Sequence, residues 1–109
     1  MPAKLIYDWL QAFCTHNMMD VVNNKKQFRF EMLLPGGEYA TLDYRWLKGS
    51  MVLMHTLVPV SARGKGIGAS LVKQVLDYVR EQNLNIIVYC PFVAKYMKEH
   101  PDYNDLIQK

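Results

Sequence analysis

Three glycines within five residues are the feature of this sequence best suited to chemistry, in the segment Arg63-Gly64-Lys65-Gly66-Ile67-Gly68. Apolar residues precede the segment and a helical apolar period follows it, so it is predicted to join a strand to a helix. Glycine lets the backbone approach a ligand closely, and free N–H groups at a helix start favour an anion. With Arg63 and Lys65 alongside, these amides suit a pyrophosphate. A tight turn whose glycines serve packing alone is the alternative.

Two familiar phosphate-binding motifs do not fit this segment. The nucleoside-triphosphate loop requires Gly-Lys-Ser/Thr, whereas Gly66 follows Lys65. The dinucleotide fingerprint is matched only loosely by Gly64-x-Gly66-x-x-Ala69. That fingerprint should follow the first strand of a parallel sheet, and the next strand should end in an acidic residue. Here antiparallel strands are predicted before the loop, and the next predicted strand ends in Tyr89-Cys90, so both motifs are rejected.

The segment Arg63-Gly64-Lys65-Gly66-Ile67-Gly68 matches the Gln/Arg-x-x-Gly-x-Gly/Ala motif of the GNAT superfamily of acyl-CoA N-acyltransferases. The chain most resembles the short, single-domain YjdJ-like N-acetyltransferase group, over residues 20 to 107. Further segments carry the resemblance in the same order as in that family: Gly36-Gly37, Leu42-Asp43-Tyr44, His55-Thr56, Val58-Pro59, Leu71-Val72, Cys90-Pro91-Phe92-Val93 and His100-Pro101-x-Tyr103.

The resemblance implies acetyl-CoA as co-substrate, bound in a wedge between the strand ending at Val58 and the strand ending near Tyr89. Backbone amides of Gly64 to Gly68, Ile67 included, would hold the pyrophosphate, and backbone groups near Leu57 and Val58 would pair with the pantetheine arm. The implied reaction is acetyl transfer to an amine by direct attack. The acceptor amine would belong to a small molecule, a protein or a peptide.

Many members of the family carry a glutamate on the strand before the glycine loop, where this chain has Leu57. The nearest titratable residue is His55, because imidazole titrates near neutral pH and suits a general base. A hydrogen-bonded core histidine is the alternative. The leucine also motivates a second functional hypothesis, a non-catalytic CoA-binding module that acts as a sensor or a partner protein.

Cys90 lies between a strand end and a predicted helix start at Pro91, where a helix dipole favours the thiolate. It could contact the CoA arm, become transiently acetylated or form a mixed disulfide with CoA. Packing is the alternative. Many family members use a tyrosine of the final helix to protonate the departing thiolate, and Tyr96 is nearest to that place. A shift of one residue would put Met97 there, and Tyr96 could equally belong to the core.

The spacing of apolar residues predicts the helices and strands that must position these residues. The predicted order is a helix over 3–18, four strands joined by tight turns, a helix, a strand and a helix. This order predicts a GNAT-like α/β (α+β) fold, with antiparallel strands followed by a β-α-β unit and a C-terminal helix. Residues 19–109 would form a single N-acetyltransferase domain. Residues 1–18, with the helix over 3–18, would be an N-terminal extension that covers an open acceptor site or mediates dimer contacts, or an interaction element of a structural protein.

The composition and charge of the chain bear on its class, its partners and its location. The chain has 109 residues, half of them hydrophobic, and a net charge of +3. Its basic residues are scattered, so no nucleic-acid partner is expected. No apolar run approaches the length of a membrane span, and the two cysteines are too few for a disulfide framework, so a cytoplasmic monomer or weak dimer is expected. No metal site is expected, because His16, His55 and His100 lack ligand spacing.

Overall fold

The computed structural model describes residues 19–108 and shows one mixed β-sheet. The spatial order of its strands follows the sequence, with antiparallel pairs up to β4 and a parallel β4–β5 pair. This confirms the predicted mixed sheet and β-α-β unit. The predicted helix over 3–18 lies outside the described residues. The strands are β1 (Val21–Asn24), β2 (Arg29–Leu33), β3 (Tyr39–Leu47), β4 (Ser50–Leu57) and β5 (Ile86–Val88).

Two of the predicted hairpin turns are confirmed. Lys48 and Gly49 connect β3 to β4 with positive φ angles of 51° and 84°, as a two-residue type I′ turn requires. The β2–β3 turn is closed by hydrogen bonds between Leu34 and Glu38 and between Gly37 and Leu34. Both turns place the antiparallel strands in register.

The sequence predicts the first turn at Asn23-Asn24, but the structure places this turn further along the chain. Asn23 and Asn24 belong to β1, and the chain turns over residues 25–28, where Asn24 Oδ1 accepts a hydrogen bond from the Gln27 amide at 3.2 Å. Asparagine favours such a turn because its side chain can replace a backbone acceptor. The alternation of Phe28, Phe30 and Met32 with polar residues predicts one strand that includes Phe28, but Phe28 has a φ of 54° and lies in the turn.

Three helical segments follow the meander in addition to a short 3-10 turn at Val60–Ala62. Helix α1 (Ile67–Glu81) buries the predicted stripe, and the left-handed Asn83 follows its end. Helix α2 (Pro91–Glu99) begins at the predicted proline and ends before His100, and a 3-10 segment covers Pro101–Leu106. Within residues 19–108, no helix is long and apolar enough to cross a membrane.

The core lies on one face of the sheet, which we call the inner face, carrying Leu42, Tyr44 and Leu53. The opposite, outer face carries Thr41, Asp43 and Val52, because side chains alternate along a strand. The inner-face side chains form one buried cluster with both helices. The α1 residues in this cluster are Ile67, Leu71, Val72, Val75, Leu76 and Val79.

The run from Met51 to Val58 is apolar apart from His55 and Thr56 and predicts a central strand that is buried on both faces, which is wrong for the second half of β4. Met51, Val52 and Leu53 are buried, whereas Met54, His55 and Leu57 are exposed. The cause is a β-bulge. Asp43 pairs with His55 and Tyr44 pairs with Leu53, which leaves Met54 as an extra residue in β4.

Two aromatic side chains are half exposed, although the apolar stripe of Phe92, Val93, Tyr96 and Met97 predicts burial for one of them, Phe92. Trp46 is 47% exposed, near the last residues of β3, and Phe92 is 43% exposed in the first turn of α2. Strand β5 is also shorter than the predicted Asn85–Tyr89. Its first residue gains a second neighbour, because Ile107 forms a parallel bridge with Ile86.

Candidate functional site

Strands β4 and β5 separate at Leu53. They are paired over Met51–Leu53 and Ile86–Val88, and the Leu53 carbonyl then accepts the amides of both Tyr89 (3.0 Å) and Cys90 (3.1 Å). Beyond this point β4 runs on to Leu57 with β3 as its only partner strand among the described residues.

We call this region, Met54–Leu57 together with Tyr89 and Cys90, the open end of the β4–β5 pair. The β4 edge that faces away from β3 has no partner strand there within the described chain. Peptide groups on such an edge are available to an extended ligand that carries amides. The predicted wedge is therefore present as a divergence of the two strands, although β5 contributes only its last residues to it.

The glycine loop leads from the open end to an uncapped helix start. Gly64 and Gly66 adopt left-handed φ angles of 79° and 75°, and Gly66 is the N-cap of α1 without any side-chain cap. Ser70 makes the first helical bond, to the Gly66 carbonyl at 3.0 Å. The amides of Ile67, Gly68 and Ala69 precede it and have no intrahelical acceptor, so they can bind an anion.

The charges around this helix start are positive. Arg63 and Lys65 are exposed, and no acidic residue lies in the first turn of α1. Arg63 Nε donates to the Val58 carbonyl at 3.1 Å, which ties the loop to the end of β4. Lys65 forms no ion pair with the residues that the structure describes. Both cations thus add to the favourable field for a phosphate group.

Gly68 is needed for close packing rather than for its φ angle. A Cβ atom built on it would lie 2.6 Å from Cζ of Phe92, so the aromatic ring rests directly on the first turn of α1. This contact joins the starts of α1 and α2 beside the open end. Sequence reasoning placed Phe92 in the core stripe and missed this contact.

Cys90 closes the open end on its inner face. It is 2% exposed and is the N-cap of α2, as the sequence predicts. Its Sγ atom lies 3.2 Å from Thr56 Oγ1, so a hydrogen bond joins the two diverging segments. Sequence reasoning missed this role of Thr56, because the bond depends on the bulge that turns Thr56 to the inner face.

His55 lies on the outer face of the sheet and is exposed, so the alternative of a core histidine is wrong. Its cross-strand partner on β3 is Asp43, which also faces outward. Because Thr56 faces inward to Cys90, the neighbouring His55 faces away from Cys90. The structure therefore does not bring His55 and Cys90 together as one catalytic pair.

Leu57 pairs with Thr41 on the outer face and is 50% exposed. The position at which the family's glutamate was expected thus faces solvent at the open end. Val58, the next residue, is half-buried and packs against the core. Tyr89, a third residue that sequence reasoning missed, is 66% exposed at the other side of the divergence.

Tyr96 is buried among aromatic rings of the C-terminal segment. Its ring stacks on His100 with centroids 4.0 Å apart and lies 6.3 Å from Tyr103. Burial raises the pKa of its phenol. Met97 is also buried in the core. These contacts favour packing for both residues, and proton donation by Tyr96 stays a prediction.

Residues 19–108 contain no group of three His, Cys, Asp or Glu side chains that could hold a metal ion. The open end and the adjacent glycine loop present backbone groups, the Cys90 thiol, the His55 imidazole and the side chains of Arg63 and Lys65. This set suits an extended anionic co-substrate with an amide-bearing arm.

The fold has a known counterpart. A GCN5-like protein from Staphylococcus aureus, solved by NMR in solution, superposes with a TM-score of 0.61 over 85% of this chain and 91% of that chain. The two sequences are 22% identical, so the likeness concerns the fold alone.

The sequence profile of the GCN5-related N-acetyltransferases matches residues 29–106. The chain belongs to this family. Among its relatives are the NATD1 proteins of Xenopus tropicalis, 36% identical over 74% of this chain and 76% of that protein, and of Danio rerio, 35% identical over 80% and 83%. Human NATD1 is 36% identical over 74% of each chain. The resemblance to the short YjdJ-like group stays a prediction.

Proposed function

We propose that this protein is an acetyl-CoA-dependent N-acetyltransferase that transfers an acetyl group to an amine by direct attack. The observation that carries the proposal is the open end of β4–β5 beside an uncapped helix start with exposed cations. The proposal also takes residues 19–109 as one catalytic domain and places the protein in the cytoplasm, which rests on the sequence alone. The acceptor is a small-molecule, protein or peptide amine.

In this proposal the backbone of Gly64 to Gly68 holds the pyrophosphate of acetyl-CoA, with Arg63 and Lys65 beside it. The free edge of β4 near Leu57 and Val58 pairs with the pantetheine arm. The amides of the first turn of α1 are not engaged within the helix, so binding an anion there breaks no helical hydrogen bond. The open end then places the thioester where β4 and β5 diverge.

When bound, acetyl-CoA supplies a thioester whose carbonyl carbon the amine attacks. An N–C bond forms, the C–S bond breaks, and the sulfur leaves as a thiolate. His55 on the outer face is the base that takes the amine proton, and Tyr96 is the predicted donor to the thiolate. Positioning alone supplies a large part of such a rate enhancement, so a domain without the family's glutamate can still be active.

Cys90 has a separate place in the proposal. It lies on the inner face, opposite His55, and its buried Sγ atom reaches the CoA arm only when the open end separates. Intact-mass measurement after incubation with acetyl-CoA tests whether Cys90 becomes acetylated, with Cys90→Ala as the reference. Undiminished turnover by Cys90→Ala would remove a catalytic role for the thiol and leave the role of His55 open to its own test, His55→Gln.

The first experiment is a calorimetric titration of the protein with acetyl-CoA. Gly66→Glu should abolish the binding, since its carboxylate would meet the pyrophosphate. Gly37→Glu is the matched control, because Gly37 also has a positive φ (88° against 75°) and open space around it, but lies in the β2–β3 turn. Binding that survives in Gly66→Glu, or no binding by the native chain, would contradict the proposal.

A second function is favoured by one observation, the exposed Leu57 at the family's acidic position. In this alternative the protein binds acetyl-CoA or CoA without catalysis and acts as a sensor or partner protein. Saturable binding without acetyl transfer to a broad panel of amines would favour it. Transfer that Leu57→Glu increases would instead show that the leucine limits an active enzyme.

A further inference from the structure

A second concave region lies near the C-terminal end of α1, and we call it the distal pocket. Its volume is about 300 Å³, at the lower end of the range for small-molecule sites. Helix α1 has 15 residues, so its two ends are about 20 Å apart. The pocket is therefore separate from the glycine loop. Its lining residues are Asn23, Lys25, Tyr44, Trp46, Tyr78, Gln82 and Leu84.

Aromatic rings make up much of the pocket wall. Tyr44 is buried, and its ring meets Trp46 edge to face, with centroids 5.8 Å apart and planes at 80°. Trp46 remains half exposed, so its indole retains surface that the core does not use. A flat apolar ring is the kind of group that gains most by packing against such a wall.

The polar groups at the base of the pocket already bond to one another. Tyr44 Oη donates to Asn23 Oδ1 at 2.8 Å, and Asn23 Nδ2 donates to Tyr78 Oη at 3.3 Å. This chain of bonds fixes the two tyrosine rings relative to β1. A ligand is therefore recognised at this base mainly by its shape and apolar surface.

The rim of the pocket decides the charge of the ligand. Lys25 is exposed and forms no ion pair with the described residues. No acidic side chain is among the described residues that line the pocket. Three aromatic rings could in principle surround a cation, but Lys25 repels one and attracts an anion.

We propose that the distal pocket binds a small planar aromatic anion. Its ring packs against the half-exposed indole of Trp46, which meets the buried ring of Tyr44 edge to face, and its carboxylate or similar group meets the Lys25 ammonium. This inference does not rest on the proposed acetyl transfer, since no residue of the open end takes part in it.

The test is an NMR titration of the full-length, ¹⁵N-labelled protein with three probes. Benzoate carries a ring and a negative charge, benzylammonium carries a ring and a positive charge, and cyclohexanecarboxylate carries the charge without an aromatic ring. We expect benzoate to give saturable shifts of the Trp46 indole N–H and the Gln82 side-chain amide. Benzylammonium should give none, and cyclohexanecarboxylate should bind several-fold more weakly.

Two substitutions in the pocket and one control outside it locate the binding. Lys25→Gln should weaken benzoate binding by up to about fivefold, the upper limit for one solvent-exposed ion pair, whereas Lys26→Gln, at the neighbouring exposed lysine outside the pocket, should leave it unchanged. Trp46→Ala should abolish saturation while its spectrum stays that of a folded protein. Non-saturable shifts, equal binding of benzylammonium, or equal affinities of Lys25→Gln and Lys26→Gln would each overturn the proposal.

Discussion

The two ends of the β4–β5 pair, the anchored end and the open end, differ in the number of chain segments that are hydrogen-bonded to them. At the anchored end, Met51–Leu53 pair with Ile86–Val88, and the C-terminal segment adds a bridge from Ile107 and a 2.8 Å bond from the Gln108 amide to the Ile86 carbonyl. At the open end, Met54–Leu57 keep one partner strand and are mostly exposed.

This difference shows how one strand serves both stability and binding. Contacts in the core stabilise the anchored end, so the side chains of Met51–Leu53 serve packing. The bulge at Met54 then releases the remaining residues from the core and turns His55 and Leu57 outward. Binding segments commonly come from the less stable parts of a fold, because ligands need backbone groups that are not yet paired.

The largest expected effect separates two leucines of the same strand. Leu53→Ala removes a fully buried side chain and should lower the free energy of unfolding by about 2–5 kcal/mol. Leu57→Ala, at a half-exposed position, should cost less than about 1 kcal/mol. Urea unfolding of both variants measures the difference. Equal losses would mean that the open end is packed as firmly as the anchored end.

The second effect concerns alkaline pH and the contact that fixes the C-terminal segment to α1. Tyr103 Oη donates to Asp77 Oδ1 at 2.7 Å. Burial and this carboxylate raise the pKa of Tyr103 from 10.0 to about 12. Because the folded state holds the phenolic proton more tightly, this stabilisation is complete below pH 10 and is lost as the pH rises towards 12. The loss should be at most about 2–3 kcal/mol.

Urea unfolding across this pH range provides the measurement. Tyr103→Phe should be less stable than the native chain at neutral pH and should lose less of its stability as the pH rises. Tyr89→Phe is the matched control at the open end, where the phenol is largely exposed, and it should keep the native pH dependence. The same pH dependence in all three proteins would show that Tyr103 does not hold the segment.

The third effect tests packing at the open end. Gly68→Ala places a Cβ atom against Phe92 and should destabilise the protein by about 1 kcal/mol, because the half-exposed ring can move aside. Phe92→Ala should remove that penalty in the double variant. Gly64→Ala should cost a similar amount through its φ of 79°, independently of Phe92. A Gly68→Ala penalty that persists without Phe92 would contradict the contact.

The sequence predicts what is determined locally. Lys48-Gly49 determines a tight turn, and the apolar stripe of α1 and the glycines before it are visible as spacing. The bulge at Met54 depends on the register with β3, so no local pattern shows it. The exposure of His55 and the Thr56–Cys90 bond both follow from that bulge and were therefore missed.

The smallest expected effect is also the most specific to the open end. Thr56→Val keeps the shape of the side chain but removes the hydrogen bond to Cys90, so the free energy of unfolding should fall by at most about 1 kcal/mol. The frequency with which the open end transiently separates should change more clearly than the free energy of unfolding. Cys90 is almost fully buried, so a thiol reagent reaches it only when the open end separates. Cys14→Ser removes the other cysteine of the chain, so that only Cys90 can be labelled. In this background Cys90 should be labelled several-fold faster in Thr56→Val than in the parent, whereas Thr41→Val, on the outer face, should be labelled at the parent rate. If the two valine variants label equally, the Thr56–Cys90 bond does not hold the strands together, and the bulge alone sets their separation.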